Sequence, residues 1–260
     1  MTQTTGTITA IRASETEFVV TFDGVLPGTP EQAWFAVTTS AATAGWIWPM
    51  EEFEPRVGGR VIGETEDSGT RVTAWDHPSH FGAGVEGEHG WYNFLDYHLQ
   101  PTADGQTTLH YVHRGVAAEH FKVILDGCAQ HTALYNHSLG QYLAHFNGQS
   151  ATCLLLDAPA ASATPDGLTR IKAALGLTDA SAVGDRVQFD VPGVGTIDAE
   201  VDYLAENFVG LRAQDAMYRF YGRNAFGGPV GLSEHHFATD AAEHEQGWTD
   251  WLQSVYGESQ

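Results

Sequence analysis

The chain has 260 residues, 42% of them hydrophobic, enough to bury one large core or two ordinary ones. It carries 12 Lys and Arg against 33 Asp and Glu, a formal net charge of −21. That balance excludes affinity driven by phosphate neutralisation and disfavours an anionic bilayer, so neither nucleic acid nor membrane is expected as a partner.

The start, Met1–Gly6, lacks both a charged segment and an apolar stretch, and no apolar run reaches bilayer length. A cytoplasmic location is the expectation. Cys128 and Cys153 give neither a disulfide framework nor metal-type spacing and read as small buried hydrophobes.

In chain order, Glu17–Phe22 alternates as a strand. Pro30–Trp34 opens a short helix, with proline in the first turn and Glu31 favoured by the helix dipole. A second short helix is predicted over Ser40–Gly45. Strands follow near Arg60–Glu66, Thr70–Asp76, Phe81–Glu86, Tyr92–Leu99 and Thr107–Arg114, with hairpin signals at Asp67–Gly69 and Ala103–Gly105. A long helix is predicted over Ala118–Phe146. Its Phe121, Leu125, Cys128, Thr132, Tyr135, Leu139, Tyr142 and Phe146 form one stripe at spacings of three and four.

After a linker at Gly148–Ser150 come a strand at Thr152–Leu156 and a helix at Asp166–Leu175. Strands resume near Arg186–Val191, Thr196–Leu204, Phe208–Ala213, Met217–Asn224 and Val230–Ala238. A closing helix is predicted over Thr239–Tyr256. The phrase Val57-Gly58-Gly59-Arg60-Val61 returns as Val183-Gly184-Asp185-Arg186-Val187, each time ahead of strands and then an aromatic-rich helix. The pattern reads as one architecture used twice, in an α+β chain with units at 1–147 and 148–260.

The first half resembles the START-like (SRPBCC) superfamily, the helix-grip fold of the birch-pollen-allergen type. It is most similar to the heat-shock ATPase activator homologue (Aha-type) branch. The resemblance rests on Phe18–Phe22, Pro30–Trp34 with Val37–Thr39, Trp46–Pro49, Val57–Gly59, Thr107–Gly115 and Leu139–Leu143, and spans nearly all of 15–147. The second half matches less well, through Val183–Val187 and Gly247–Leu252, and reads as a divergent, shortened copy without the Trp-bearing second helix. The resemblance implies a curved antiparallel sheet wrapped on a long C-terminal helix, present twice. Members bind lipids, sterols, polyketides or other apolar molecules; some cyclise or dehydrate polyketides, and some bind chaperones. No catalytic residue is universal, and fold does not fix chemistry.

A sheet gripping a helix leaves room for a cavity. Leu95, Tyr97 and Leu99 share one strand face, and Leu109, Tyr111 and His113 another. Facing the helix stripe, they would bring Tyr97, His113, Tyr135 and His131 into an apolar wall with Leu95, Leu109, Tyr111 and Leu139, with Trp46 and Trp48 at the mouth. The alternative is a filled core in which these groups bond one another. Three functional classes stay open. One is a carrier or sensor of a small apolar molecule. The second is a cyclase- or dehydratase-type enzyme with His113 as the acid–base candidate. The third is an interaction protein whose partner could be a chaperone. No cofactor is expected.

Gly82–Gly87 matches a dinucleotide fingerprint in letters, but strand sequence rather than a helix follows it, so sheet curvature is the expected role. The thirteen histidines have no zinc-hydrolase spacing; His113, His120 and His131 are a conceivable cross-element set, and no metal site is assigned.

Overall fold

The computed structural model describes residues 6–50, 52–63 and 68–257. It is α+β and divides into two compact units, Met1–Ser150 and Ala151–Gln260.

The first unit runs β1 (Gly6–Arg12), β2 (Glu17–Leu26), α1 (Pro30–Thr38), α2 (Ser40–Thr43), β3 (Glu52–Phe53), β4 (Val61–Ile62), β5 (Arg71–Asp76), β6 (His80–Glu86), β7 (Tyr92–Pro101), β8 (Thr107–Val116) and α3 (Phe121–His145). Six strands form one antiparallel sheet in the order β1-β2-β8-β7-β6-β5, and β3 and β4 pair separately. Alternation explains the inward face: Phe18, Val20, Phe22 and Leu26 of β2 are buried, as are Tyr97 and Leu99 of β7 and Leu109 and Tyr111 of β8. The start of α1 is fixed by a capping box. The Thr29 hydroxyl accepts from the Gln32 amide, and the Gln32 side chain accepts from the Thr29 amide.

The second unit runs β9 (Thr152–Asp157), α4 (Gly167–Ala174), β10 (Arg186–Val191), β11 (Gly195–Leu204), β12 (Phe208–Arg212), β13 (Ala216–Tyr221), β14 (Gly231–His236) and α5 (Glu245–Tyr256). Its sheet order is β10-β11-β12-β13-β14-β9. In both units a strand from before the short helices pairs antiparallel with the last strand before the closing helix: β2 with β8, and β9 with β14.

The repeated phrase has one geometry in both places. The Gly58 amide donates to the Val72 carbonyl at 2.8 Å, and Val72 returns a bond to Gly59 at 2.9 Å. The Gly184 amide donates to Val201 at 2.8 Å, and Val201 returns one to Asp185 at 2.8 Å. Gly58 and Gly184 have φ of +77° and +100°, where a side chain is strained.

Several boundaries differ from expectation. β1 had no counterpart, because its residues are mostly exposed and do not alternate. The long helix starts at Phe121, three residues late, since His120 sits in the left-handed region at φ 51°. The closing helix starts at Glu245; Asp240 instead caps a short 3-10 turn at Ala241–His244. Of the expected strand Arg60–Glu66, Val61–Ile62 is paired, and Glu64–Glu66 lie outside the described residues, as do Met1–Thr5 and Asp67 of the expected turn. No helix among the described residues is long and apolar enough to cross a membrane.

Candidate functional site

The first unit holds a cavity of about 250 Å³. Its floor is the inward face of β6 and β7, with Phe81, Ala83, Asn93, Leu95 and Tyr97. Its cover is the α1–α2 region, with Val37, Thr43, Trp46, Ile47, Trp48 and Met50. Val61 and Thr70 close one side. The cover is anchored locally: the indole N–H of Trp46 donates to the Ala36 carbonyl at 2.9 Å, tying the end of α2 back to α1. Within the floor, Phe81 packs against Trp34, Trp75 and Phe53 with ring centroids 5.7–6.4 Å apart.

Ten residues were expected in the wall, and the structure distributes them unevenly. Trp46, Trp48, Leu95 and Tyr97 line the cavity. Leu109, Tyr111 and Leu139 are buried in the core and do not line it. His131 donates through Nδ1 to the Gly127 carbonyl one turn back in α3, at 2.8 Å, and stands beside Tyr135. Tyr135 packs edge-on against Trp48, at 5.4 Å. The physical reason is the placement of α3. It lies over β1 and β2, where Phe121, Leu125 and Cys128 pack on Phe18, Val20 and Ala117. The short helix α1 covers β6 and β7 instead.

His113 does not line the cavity either. Its Nε2–H donates to Oδ1 of Asn93 at 2.7 Å, and the Phe18 ring meets it edge-on at 5.1 Å. Burial holds its pKa down to about 4, so the ring is neutral at pH 7. It therefore fixes the orientation of the Asn93 amide, which does line the cavity. With Oδ1 turned to the imidazole, the Asn93 NH₂ group has no hydrogen-bond partner among the described residues.

Tyr97 is the second polar group on the floor. Its ring stacks on Phe81 at 6.0 Å and tilts against Tyr111 at 4.8 Å. The Tyr111 hydroxyl bonds Thr132, whereas that of Tyr97 has no hydrogen-bond partner among the described residues. Burial pushes the Tyr97 pKa well up, so it is a neutral phenol that donates or accepts. Among the described lining residues it is the sole titratable group. Asn93 was missed in the sequence, though alternation puts this amide on the face of Leu95 and Tyr97.

The glycine-rich stretch is part of β6 and is followed by a 3-10 turn and β7. Gly84 leaves room for the Phe94 ring, which a Cβ would strike. His113, His120 and His131 do not gather; the described His and carboxylate groups that do are His80 with Asp96 and His98, and Glu234 with His236 and His244.

No family model matches the chain, and no curated protein matches it. Among solved structures, DynU16 from the dynemicin biosynthetic locus is similar at 14% identity, over 92% of this chain and 95% of that one, with a TM-score of 0.41. The di-domain ARO/CYC BexL from the BE-7585A biosynthetic pathway is similar at 10% identity, over 93% and 99%, with a TM-score of 0.43. A Rhodobacter sphaeroides protein is similar at 25% identity, over 53% of this chain and 98% of its own, with a TM-score of 0.40.

Proposed function

We propose that the first unit binds a small, mostly apolar molecule bearing one or two acceptor oxygens, such as an aromatic ketone or phenol. The observation that carries this reading is the pair of polar groups without protein partners among the described residues, Tyr97 OH and Asn93 NH₂, in a wall whose other hydroxyls, those of Thr43, Ser68 and Thr70, are hydrogen-bonded within the protein. Both groups face the open cavity, where a ligand oxygen could take the place of water as their hydrogen-bond partner. The apolar body would contribute about 25 cal/mol per Å² of surface removed from water. At about 250 Å³ the cavity lies just below the usual range for drug-sized ligands, which suits one or two rings.

Binding without turnover is favoured over cyclase or dehydratase chemistry. His113 is tied to Asn93 and takes a proton only well below neutrality. A general acid or base works best with a pKa near the operating pH. No feature of the described residues points to a chaperone partner. In this reading the two units are related helix-grip modules, the chain passing from one to the other near residues 148–150, and the first carries the ligand. The shared hydrogen bonds of the repeated glycine phrase and the shared strand pairing support that relation.

The test is titration of the purified full chain with a panel of one- and two-ring ketones and phenols, read by tryptophan fluorescence, since Trp46 and Trp48 line the cavity. Saturable binding is expected, and Ala83→Leu, which fills the floor, should abolish it with the unfolding midpoint retained. Equal binding by the filled variant would overturn the site, and steady conversion of a bound ketone would restore the enzyme reading.

A further inference from the structure

The outer face of the same sheet carries a row of titratable groups. Register aligns Asp76, His80, His98, His110 and Asp23 across five adjacent strands, β5-β6-β7-β8-β2. One step along, Asp96 of β7 projects on the same side as His98, two residues away. His80 Nε2 lies 3.0 Å from Asp96 Oδ1, and the rings of His80 and His98 stack at 4.0 Å. One ligand atom from each of His80, Asp96 and His98 falls within 4.8 Å of the other two.

Three further observations distinguish this group from chance crowding. Gly82 stands opposite Asp96, and a Cβ there would lie 2.7 Å from Asp96 Oδ1, so the missing side chain makes the notch that the carboxylate occupies. Arg114 approaches the other oxygen, Oδ2, at 3.8 Å while lying over the Phe94 ring, which leaves Oδ1 directed at the histidines. His98 has no hydrogen bond to its ring nitrogens among the described residues, and the group is partly exposed, so an ion has a path in.

We propose that His80, Asp96 and His98 form a binding site for a borderline divalent cation, zinc first among them. Two imidazoles and one carboxylate suit zinc, nickel or copper; calcium and magnesium prefer all-oxygen sets. With bonds of about 2.0–2.1 Å, neighbouring ligand atoms of a tetrahedral zinc lie about 3.3 Å apart. The His80–Asp96 separation is already close to that, and rotation of the His98 ring completes the set. Remaining positions would face water. The strongly acidic chain adds long-range attraction for a cation.

The other group, Glu234, His236 and His244, differs in chemistry. Both Glu234 oxygens are engaged, by His244 Nδ1 at 2.9 Å and by the Trp248 indole N–H at 2.8 Å. His236 Nδ1 accepts from the Ala238 and Thr239 amides, each at 3.1 Å, which places its proton on Nε2 and opposes a metal there.

The experiment is calorimetric titration of the metal-free full chain with zinc chloride, alongside His98→Ala, Asp96→Asn and His89→Ala, with circular dichroism confirming each fold. One zinc per chain is expected, with affinity lowered about tenfold or more in the first two variants and unchanged in the third. Nitrogen-15 spectra of the imidazoles should show His80 and His98 shifting on zinc addition. Absence of binding at millimolar zinc would overturn the proposal. So would binding that survives both ligand variants, or shifts confined to His236 and His244.

Discussion

The two units share a turn phrase and a strand pairing, yet treat the space against the sheet differently. In the first, the α1 and α2 region over β6 and β7 leaves a cavity. In the second, α5 inserts Trp248 and Trp251 among Phe189, Tyr218 and Phe220, with ring centroids 5.4–6.3 Å apart. The second unit also buries charged groups in pairs, although Asn224 Oδ1 is buried there without a partner among the described residues. Trp248 and His244 cover Glu234, and Arg219 makes a two-pronged bond to Asp202 at 2.8 and 2.9 Å. A shared turn phrase and strand pairing thus do not decide whether a pocket exists; the volume of a few side chains does.

The largest effect is expected where the space is filled. Trp248→Ala should cost about 3–5 kcal/mol for the lost ring, and it also removes a donor from the buried Glu234 carboxylate. Leu95→Ala only enlarges an existing cavity and should cost less, about 2 kcal/mol. Urea unfolding followed by circular dichroism checks both. Equal costs would mean the first unit is packed as tightly as the second, and the contrast would collapse.

The strands and buried faces on either side of this contrast were legible in the sequence; the contrast itself was not. Alternation in Phe18–Phe22, Leu95–Leu99 and Leu109–His113 identifies strands and their inward faces, because a half-buried strand must repeat every second residue. The aromatic spacing in Trp248–Val255 likewise marks the buried face of α5. What stayed hidden depends on placement between elements. Periodicity gives α3 an apolar stripe but does not say which strands it covers. Leu139 and Tyr111 therefore read as cavity wall when they are core. The row from Asp76 to Asp23 needs strand register, which a sequence without coordinates leaves undetermined.

A middle-sized effect should separate the units by pH. The His113 pKa is about 4 in the folded chain and 6.5 in an unfolded one. Above pH 6.5 the ring is neutral in both states and its contribution is complete. Below 6.5 the unfolded chain takes up the proton first, so stability falls between pH 6.5 and 4, by on the order of 3 kcal/mol. His113→Gln should remove that slope, measured as the difference in unfolding free energy between pH 7 and pH 4.5. An unchanged slope would place the acid sensitivity elsewhere.

The smallest effect is the sharpest discriminator, because it compares two phenols in one chain. The Tyr221 hydroxyl is buried and bonded to Ser233 Oγ at 3.0 Å, so Tyr221→Phe should cost about 1 kcal/mol of stability and leave binding untouched. The Tyr97 hydroxyl has no such bond among the described residues, so Tyr97→Phe should leave the unfolding midpoint unchanged. It should instead weaken binding of a ketone by about fivefold to tenfold, the worth of one hydrogen bond. Thermal melts and fluorescence titrations on both variants give the four numbers. If Tyr97→Phe destabilises the chain as Tyr221→Phe does, and binding is unmoved, the Tyr97 hydroxyl is a core group and the first unit is filled like the second.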